Sequence, residues 1–443
     1  MKQFIITQSK KEFYTSHSGL ALVGLCLNRL SSLPEKAADA FPRKHGGIGI
    51  EDILRSYVGL LTMGQSDFEA ITSRRQDDYF RQSLGISKVP SAETLRQRLD
   101  EVAPTMRRIA DTCSVGFLKK ARVTISPLDT GHIPLDCDVL AMDNSKTKKE
   151  GVSRIYNGED GYAPIAAYFG TEGWCLELEL REGSQHSQDG FIPFLERVVE
   201  KARRLTSRKI LVRLDSAHDA LDTRVALAGK RDVSYIIKWN PRREDRLEWA
   251  GRIFKEGKVT TPRDGKRVGL LTVHIRQVHN GKTYRFKRVM RAVERTIDRR
   301  GQRLITPEIE VEGWWTTLDF PEKKVIELYE DHGTSEQFHA EIKSDMDIER
   351  LPSGKFATNA LVLTLGGLAY NILRSIGQLG LVSGEIPPMR HAAKRRRIKT
   401  VMQELMYLAG RLVRTGRRLK LVFGRHCPAF AAFRTVYTRF AWG

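Results

Sequence analysis

The stretch YEDHGTSEQFHAEIK places Tyr329, His332, Glu336 and Lys343 three, four and seven residues apart. A helix turns about 100° per residue, so these steps return to nearly one side. One stripe then carries a phenol, an imidazole, a carboxylate and an ammonium, while Phe338 and Ile342 point the other way. Two more carboxylates end apolar runs that read as strands: Asp143 closes VLAMD and Asp215 closes KILVRLD. In open α/β sheets, ligand sites gather beyond the carboxyl ends of strands. Asp143, Asp215 and Glu336 brought together would repel one another unless one is protonated or a cation intervenes. A hard divalent ion such as Mg2+ takes carboxylate oxygens, and two such ions about 4 Å apart suit phosphoryl transfer. Each aspartate alone is equally suited to capping a turn. The combination is what points to chemistry.

The elements around these residues change in texture along the chain. The first 125 or so residues look helical: SGLALVGLCLNRLSSL follows Ser18, a plausible N-cap, and VPSAETLRQRLDEVA offers Ser91 as another. Arg74, Arg75, Arg96 and Arg98 near helix ends suit a helix-turn-helix-like DNA reader, a pattern many helical domains share. From Pro134, VLAMD, APIAAYF and CLELEL read as strands, FIPFLERVVEKARRL as a helix, KILVRLD as a strand, DALDTRVALAG as a helix and SYIIKW as a strand. That is an α/β order. VGLLTVHIRQV and YRFKRVMRAVE flank Asn280-Gly281, a hairpin signal, and predict a β-rich insertion apart from the first sheet. WWTTLDF returns to the core. Two helices follow with Gly333 between them, and that glycine weakens a single stripe through Tyr329 and His332. The apolar run LVLTLGGLAYNILRSIG is interrupted by Asn371 and Arg374, so it reads as a buried core helix rather than a membrane span.

The chain of 443 residues is too long for one ordinary core, and its formal charge of +21 favours a polyanionic partner such as nucleic acid over a merely soluble basic protein. From Met389 to Gly443 there are fourteen Lys or Arg against Glu404 alone, a net +13 of that +21. RHAAKRRRIK, with Arg395, Arg396 and Arg397, is the densest part; it is a candidate phosphate-binding segment or a solvated helical face. The five cysteines have no metal-ribbon spacing and suit reduced thiols. MKQFIITQSKKEF has no apolar signal core.

Several stretches together resemble bacterial insertion-sequence transposases of the Asp-Asp-Glu class. AMDNSK around Asp143 and VRLDSAHD around Asp215 resemble the two aspartate motifs. Tyr329, His332, Glu336 and Lys343 resemble a third motif, Tyr-x2-Arg-x3-Glu-x6-Lys, with its spacing intact. ERLPSGKFATNALVLTLGGLAYNILRS and the N-terminal TSHSGLALVGLCLNRL resemble the insertion sequence 1380 family. The resemblance implies a ribonuclease-H-like core, with Asp143, Asp215 and Glu336 holding two Mg2+ ions, which Mn2+ can replace. It also implies that Tyr329, the residue at 332 and Lys343 contact phosphates. His332 departs from the motif's Arg: it loses its charge near neutrality and cannot grip a phosphate in bidentate fashion. Trp314 or Trp315 suits stacking on an unpaired base, with core packing the competing role for at least one of them, and Lys146 suits either reaching DNA or a plain loop.

The expected layout is a helical DNA-binding domain over residues 1–125, the first part of the core over 126–239, the insertion over 240–313, the final core part with the Glu helix over 314–380, and a basic helical region over 381–443. The expected activity is cleavage and strand transfer at the ends of an insertion sequence. The partners implied are double-stranded terminal-repeat and target DNA and a second subunit in a synaptic dimer, with no membrane, in the nucleoid of a bacterial cytoplasm. A nuclease without strand transfer and a DNA-binding derivative without catalysis are the competing readings.

Overall fold

The computed structural model describes residues 3–43, 46–242, 244–298, 300–382, 393–416 and 418–443, with the side chains of residues 332, 334 and 335 outside that description. Its centre is a nine-stranded mixed sheet. In chain order the strands are β1 (Ile133–Val139), β2 (Ile165–Phe169), β3 (Trp174–Glu179), β4 (Ile210–Leu214), β5 (Val233–Lys238), β6 (Lys258–Arg263), β7 (Lys266–His279), β8 (Lys282–Ile297) and β9 (Arg303–Thr316). Their spatial order is β6-β7-β8-β9-β5-β4-β1-β2-β3. β4 runs parallel to both β1 and β5, and the remaining pairs are antiparallel.

The first strand differs from the expectation. VLAMD does not form it; the preceding IPLDCDV does, and only Met142–Asp143 continues as a short strand of a separate three-stranded sheet. Along β1, Ile133, Leu135 and Cys137 alternate with Asp136 and Asp138, the period-two pattern of a strand. Asp136 is buried, and Arg213 of β4 holds its carboxylate through two bonds of 2.6 and 2.7 Å. A buried acid is tolerated because a cation is paired with it.

The insertion strands form as expected, and the Asn280-Gly281 turn has φ of 47° and 74°. They are not apart from the first sheet. β9 pairs with β5, Trp315 opposite Ile237, so β6–β9 extend the core sheet. Trp314 and Trp315 anchor that junction and are 0% and 3% exposed. Neither ring surface is open to a base: both take the core-packing role rather than the stacking one.

The N-terminal segment is mostly helical, and Ser91 caps the 29-residue helix Ala92–Lys120 by accepting from the Thr94 N–H at 3.2 Å. Ser18 caps nothing: its hydroxyl donates to the Leu408 carbonyl at 2.7 Å and ties the start of the chain to its end. The apolar helix Phe356–Gly377 packs between Ala92–Lys120 and β3. It is long and apolar enough to cross a membrane, yet 89% of its most apolar window is buried in the protein. Its polar interruptions are bonded internally: Asn371 accepts from the Cys175 N–H at 2.9 Å and donates to its carbonyl at 2.7 Å. The basic C-terminal region is not simply helical. Gly410–Thr415 and Arg418–Phe423 form a hairpin that joins Phe13–Thr15 in a second three-stranded sheet, followed by the helix Phe430–Trp442. All five cysteines are free thiols, four of them buried.

Candidate active site

Parallel pairing sets Cys137 of β1 opposite Leu214 of β4. The next residue on each strand, Asp138 and Asp215, therefore emerges at neighbouring carboxyl ends, on strands about 4.8 Å apart. Both line a cleft of about 990 Å3, together with Tyr156, Tyr329, Glu330, Glu336, His339 and Lys343. Asp215 also caps the short turn after β4. Its Oδ1 accepts from the Ala217 N–H at 3.2 Å and lies 2.7 Å from Nδ1 of His218, a fully buried ring packed on Phe191. A carboxylate only accepts, so that imidazole nitrogen carries the proton.

Beneath the pair, Arg213 grips Asp136 and donates to the Leu328 carbonyl at 2.8 Å. That bond docks the helix Glu322–Glu330 against the sheet and brings Tyr329 to the cleft. The Tyr329 ring lies 6.1 Å from Trp314. Burial, then the negative charges of Asp215 and Asp138, hold its phenol well above the usual tyrosine range. Arg291 bonds Glu330 at 2.9 Å and ties the end of this helix to β8.

Glu336 sits on the short helix Ser335–Ala340, after a 3-10 turn at Asp331–Thr334 and before a π turn at Glu341–Asp345. The break at Gly333 divides the predicted stripe, yet Tyr329, Glu336 and Lys343 still line one cleft. Phe338 and Ile342, 2% and 0% exposed, anchor the far side as their spacing predicts. Lys343 donates to the Ala141 carbonyl at 2.6 Å and pairs with Glu349 at 2.8 Å. The side chain of His332 lies outside the described residues.

Asp143 is not in the cleft. Its Oδ1 accepts from the Ser145 N–H at 2.8 Å and its Oδ2 lies 3.5 Å from Arg350. Bonding to Ser145, then the Arg350 charge, lowers its pKa. Asp143 is a loop-closing residue, and Lys146 beside it is exposed in a left-handed turn with φ of 62°. Asp138 is a cleft carboxylate that the sequence pattern did not single out, although it follows directly in the alternation LDCD. The three tail arginines have partners within the chain. Arg395 donates to Gln337 at 2.8 Å and covers the Phe338 ring at 4.4 Å. Arg396 reaches the Leu381 carbonyl at 3.4 Å, and Arg397 makes two 2.8 Å bonds to Asp345. Arg395 and Arg397 thereby contact the segment that carries Glu336. Arg390 lies outside the described residues.

The carboxylate oxygens are hard donors that suit Mg2+ or Mn2+. Two of them share adjacent strand ends, where a cation would relieve their repulsion. Among the described residues, no three His, Cys, Asp or Glu side chains already converge as a metal site. The donor set fits as a pair on the sheet with Glu336 facing it from the helix.

No curated protein matches the chain. A piggyBac transposase synaptic complex with hairpin DNA, solved by cryo-electron microscopy, is similar at 12% identity and a TM-score of 0.42, over 90% of this chain and 82% of that one. The family model described as transposase DDE domain group 1 matches residues 8–442, almost from end to end, and the chain belongs to that family of DDE transposases.

Proposed function

We propose that this transposase cuts DNA at the ends of its element and joins the freed 3′ strand to a target, using Asp138, Asp215 and Glu336 on a ribonuclease-H-like core. The observation that carries this reading is the parallel register of β1 and β4, which sets Asp138 beside Asp215 at the mouth of the cleft. Asp143, by contrast, has its own loop to hold. Asp138, Asp215 and Glu336 would hold divalent ions, which when bound would supply charge neutralisation for phosphoryl transfer. The chain's own groups do the rest. Tyr329 stays a neutral phenol and donates to a phosphate oxygen, and Lys343, fixed by the Ala141 carbonyl, presents positive charge at the same wall. His218 orients Asp215 through its Nδ1–H. A synaptic dimer on paired ends, as in the insertion sequence 1380 family, in a bacterial nucleoid, is part of the same proposal.

The test is Mg2+-dependent nicking and joining of DNA carrying the element's ends. Asp138→Asn, Asp215→Asn and Glu336→Gln should abolish both steps, and Asp143→Asn should retain them. Wild-type cleavage by Asp138→Asn would sink the assignment. Nicking without joining would leave a nuclease.

A further inference from the structure

The cleft carries a second tyrosine that the chemistry above does not use. Tyr156 lines the cleft with Asp138 and Asp215, is 74% exposed and makes no ring–ring contact among the described residues. Its backbone is nonetheless held firmly. The Gly158 N–H donates to the Ile155 carbonyl at 2.9 Å, and the Ile155 N–H to the Glu159 carbonyl at 2.9 Å. Ile155 is buried at 3% exposure, and Gly158 takes φ of 88°, which favours glycine. Asn157 and Glu159 close the turn with bonds of 2.9 and 3.2 Å. A tight turn with a buried anchor thus presents an aromatic face to solvent beside the paired carboxylates. Partial burial, then the charge of Asp138 and, after an opposing backbone contact, of Asp215, raises its phenol pKa.

We propose that the Tyr156 ring stacks on a base of the strand whose phosphate lies at Asp138 and Asp215, as a shelf for one nucleotide. This rests on the function proposed above. An open aromatic face suits any base, and such stacking is sequence-tolerant.

The test uses duplexes from the element's end with the nucleotide at the cut phosphate unpaired, either intact or abasic, bound in Ca2+. Wild type should prefer the intact base by about 10-fold. Tyr156→Ala should bind both alike, and Tyr156→Phe and Tyr156→Trp should keep the preference. The proposal is overturned if wild type shows no preference, if Tyr156→Ala keeps it, or if Tyr156→Phe loses as much as Tyr156→Ala. Cleavage by Asp138→Asn, measured separately, reports on the carboxylate assignment, so the two failures are distinguishable.

Discussion

The two sides of the cleft are built differently. Asp138 and Asp215 stand on the sheet, where the parallel ladder of β1 and β4 fixes their positions and Arg213 clamps Asp136 below them. Glu336 is exposed on a short helix between a 3-10 turn and a π turn. That wall is positioned by side chains reaching it from downstream. Glu341, 1% exposed, pairs with the equally buried Arg374 and accepts from Tyr370 Oη at 3.1 Å and from the Ile398 N–H at 3.3 Å. Asp345 is held by Arg397 and accepts from the Lys399 N–H at 3.1 Å. Backbone pairing pre-organises the floor, whereas the wall depends on buried charge and on residues from the basic tail.

The largest expected effect lies on the floor. Asp138→Asn and Asp215→Asn should each lower cleavage by roughly 10^3-fold or more, as for members of a catalytic set acting as a unit. Asp143→Asn should cost less than about 3-fold, since its carboxylate holds its own loop and Arg350 rather than lining the cleft. Equal losses at Asp138 and Asp143 would break the distinction between the cleft and the small sheet.

The clamps separate the two sides further. Glu341→Gln should raise the half-saturating Mg2+ concentration for cleavage on the order of 10-fold, as removal of a supporting contact does at metal sites. An unchanged Mg2+ requirement would mean that the Glu336 wall does not need this brace. Arg213→Met, in contrast, leaves the Asp136 carboxylate buried without its cation and should cost about 3–5 kcal/mol in denaturant unfolding. A smaller loss would show that the floor stands on its ladder alone.

This contrast also explains what the sequence made legible. KILVRLD declared both its strand and Asp215, because apolar alternation ran cleanly into the acid. Asp138 was hidden because Asp136 and Asp138 interrupt the apolar pattern of β1, and the partner that makes Asp136 tolerable is Arg213, 77 residues away. The hairpin of β7 and β8 was legible from Asn280-Gly281, but its membership of the core sheet depends on Trp314 and Trp315 pairing beside β5. Glu336 and its anchors Phe338 and Ile342 were visible from local spacing. The bonds of Arg395 and Arg397 were not, since a run of positive charge does not announce partners such as Gln337 and Asp345 more than fifty positions upstream.

A modest effect is expected at the seam between the two sides, where Tyr329 lines the cleft with the carboxylate pair. A tyrosine ordinarily titrates near pH 10. Burial, then Asp215 and Asp138, raises that pKa, so the phenol stays protonated at pH 7 and at pH 9. Its hydrogen bond to a phosphate oxygen is then present at both values. Tyr329→Phe should lower the cleavage rate by about 10-fold at each pH, the size expected for a hydrogen bond to a charged group. If the loss shrinks as pH rises from 7 to 9, the phenol is titrating in that window and the carboxylates do not shield it as their placement requires. If there is no loss at either pH, Tyr329 belongs to the packing around Trp314 and the phosphate is held by the opposite wall.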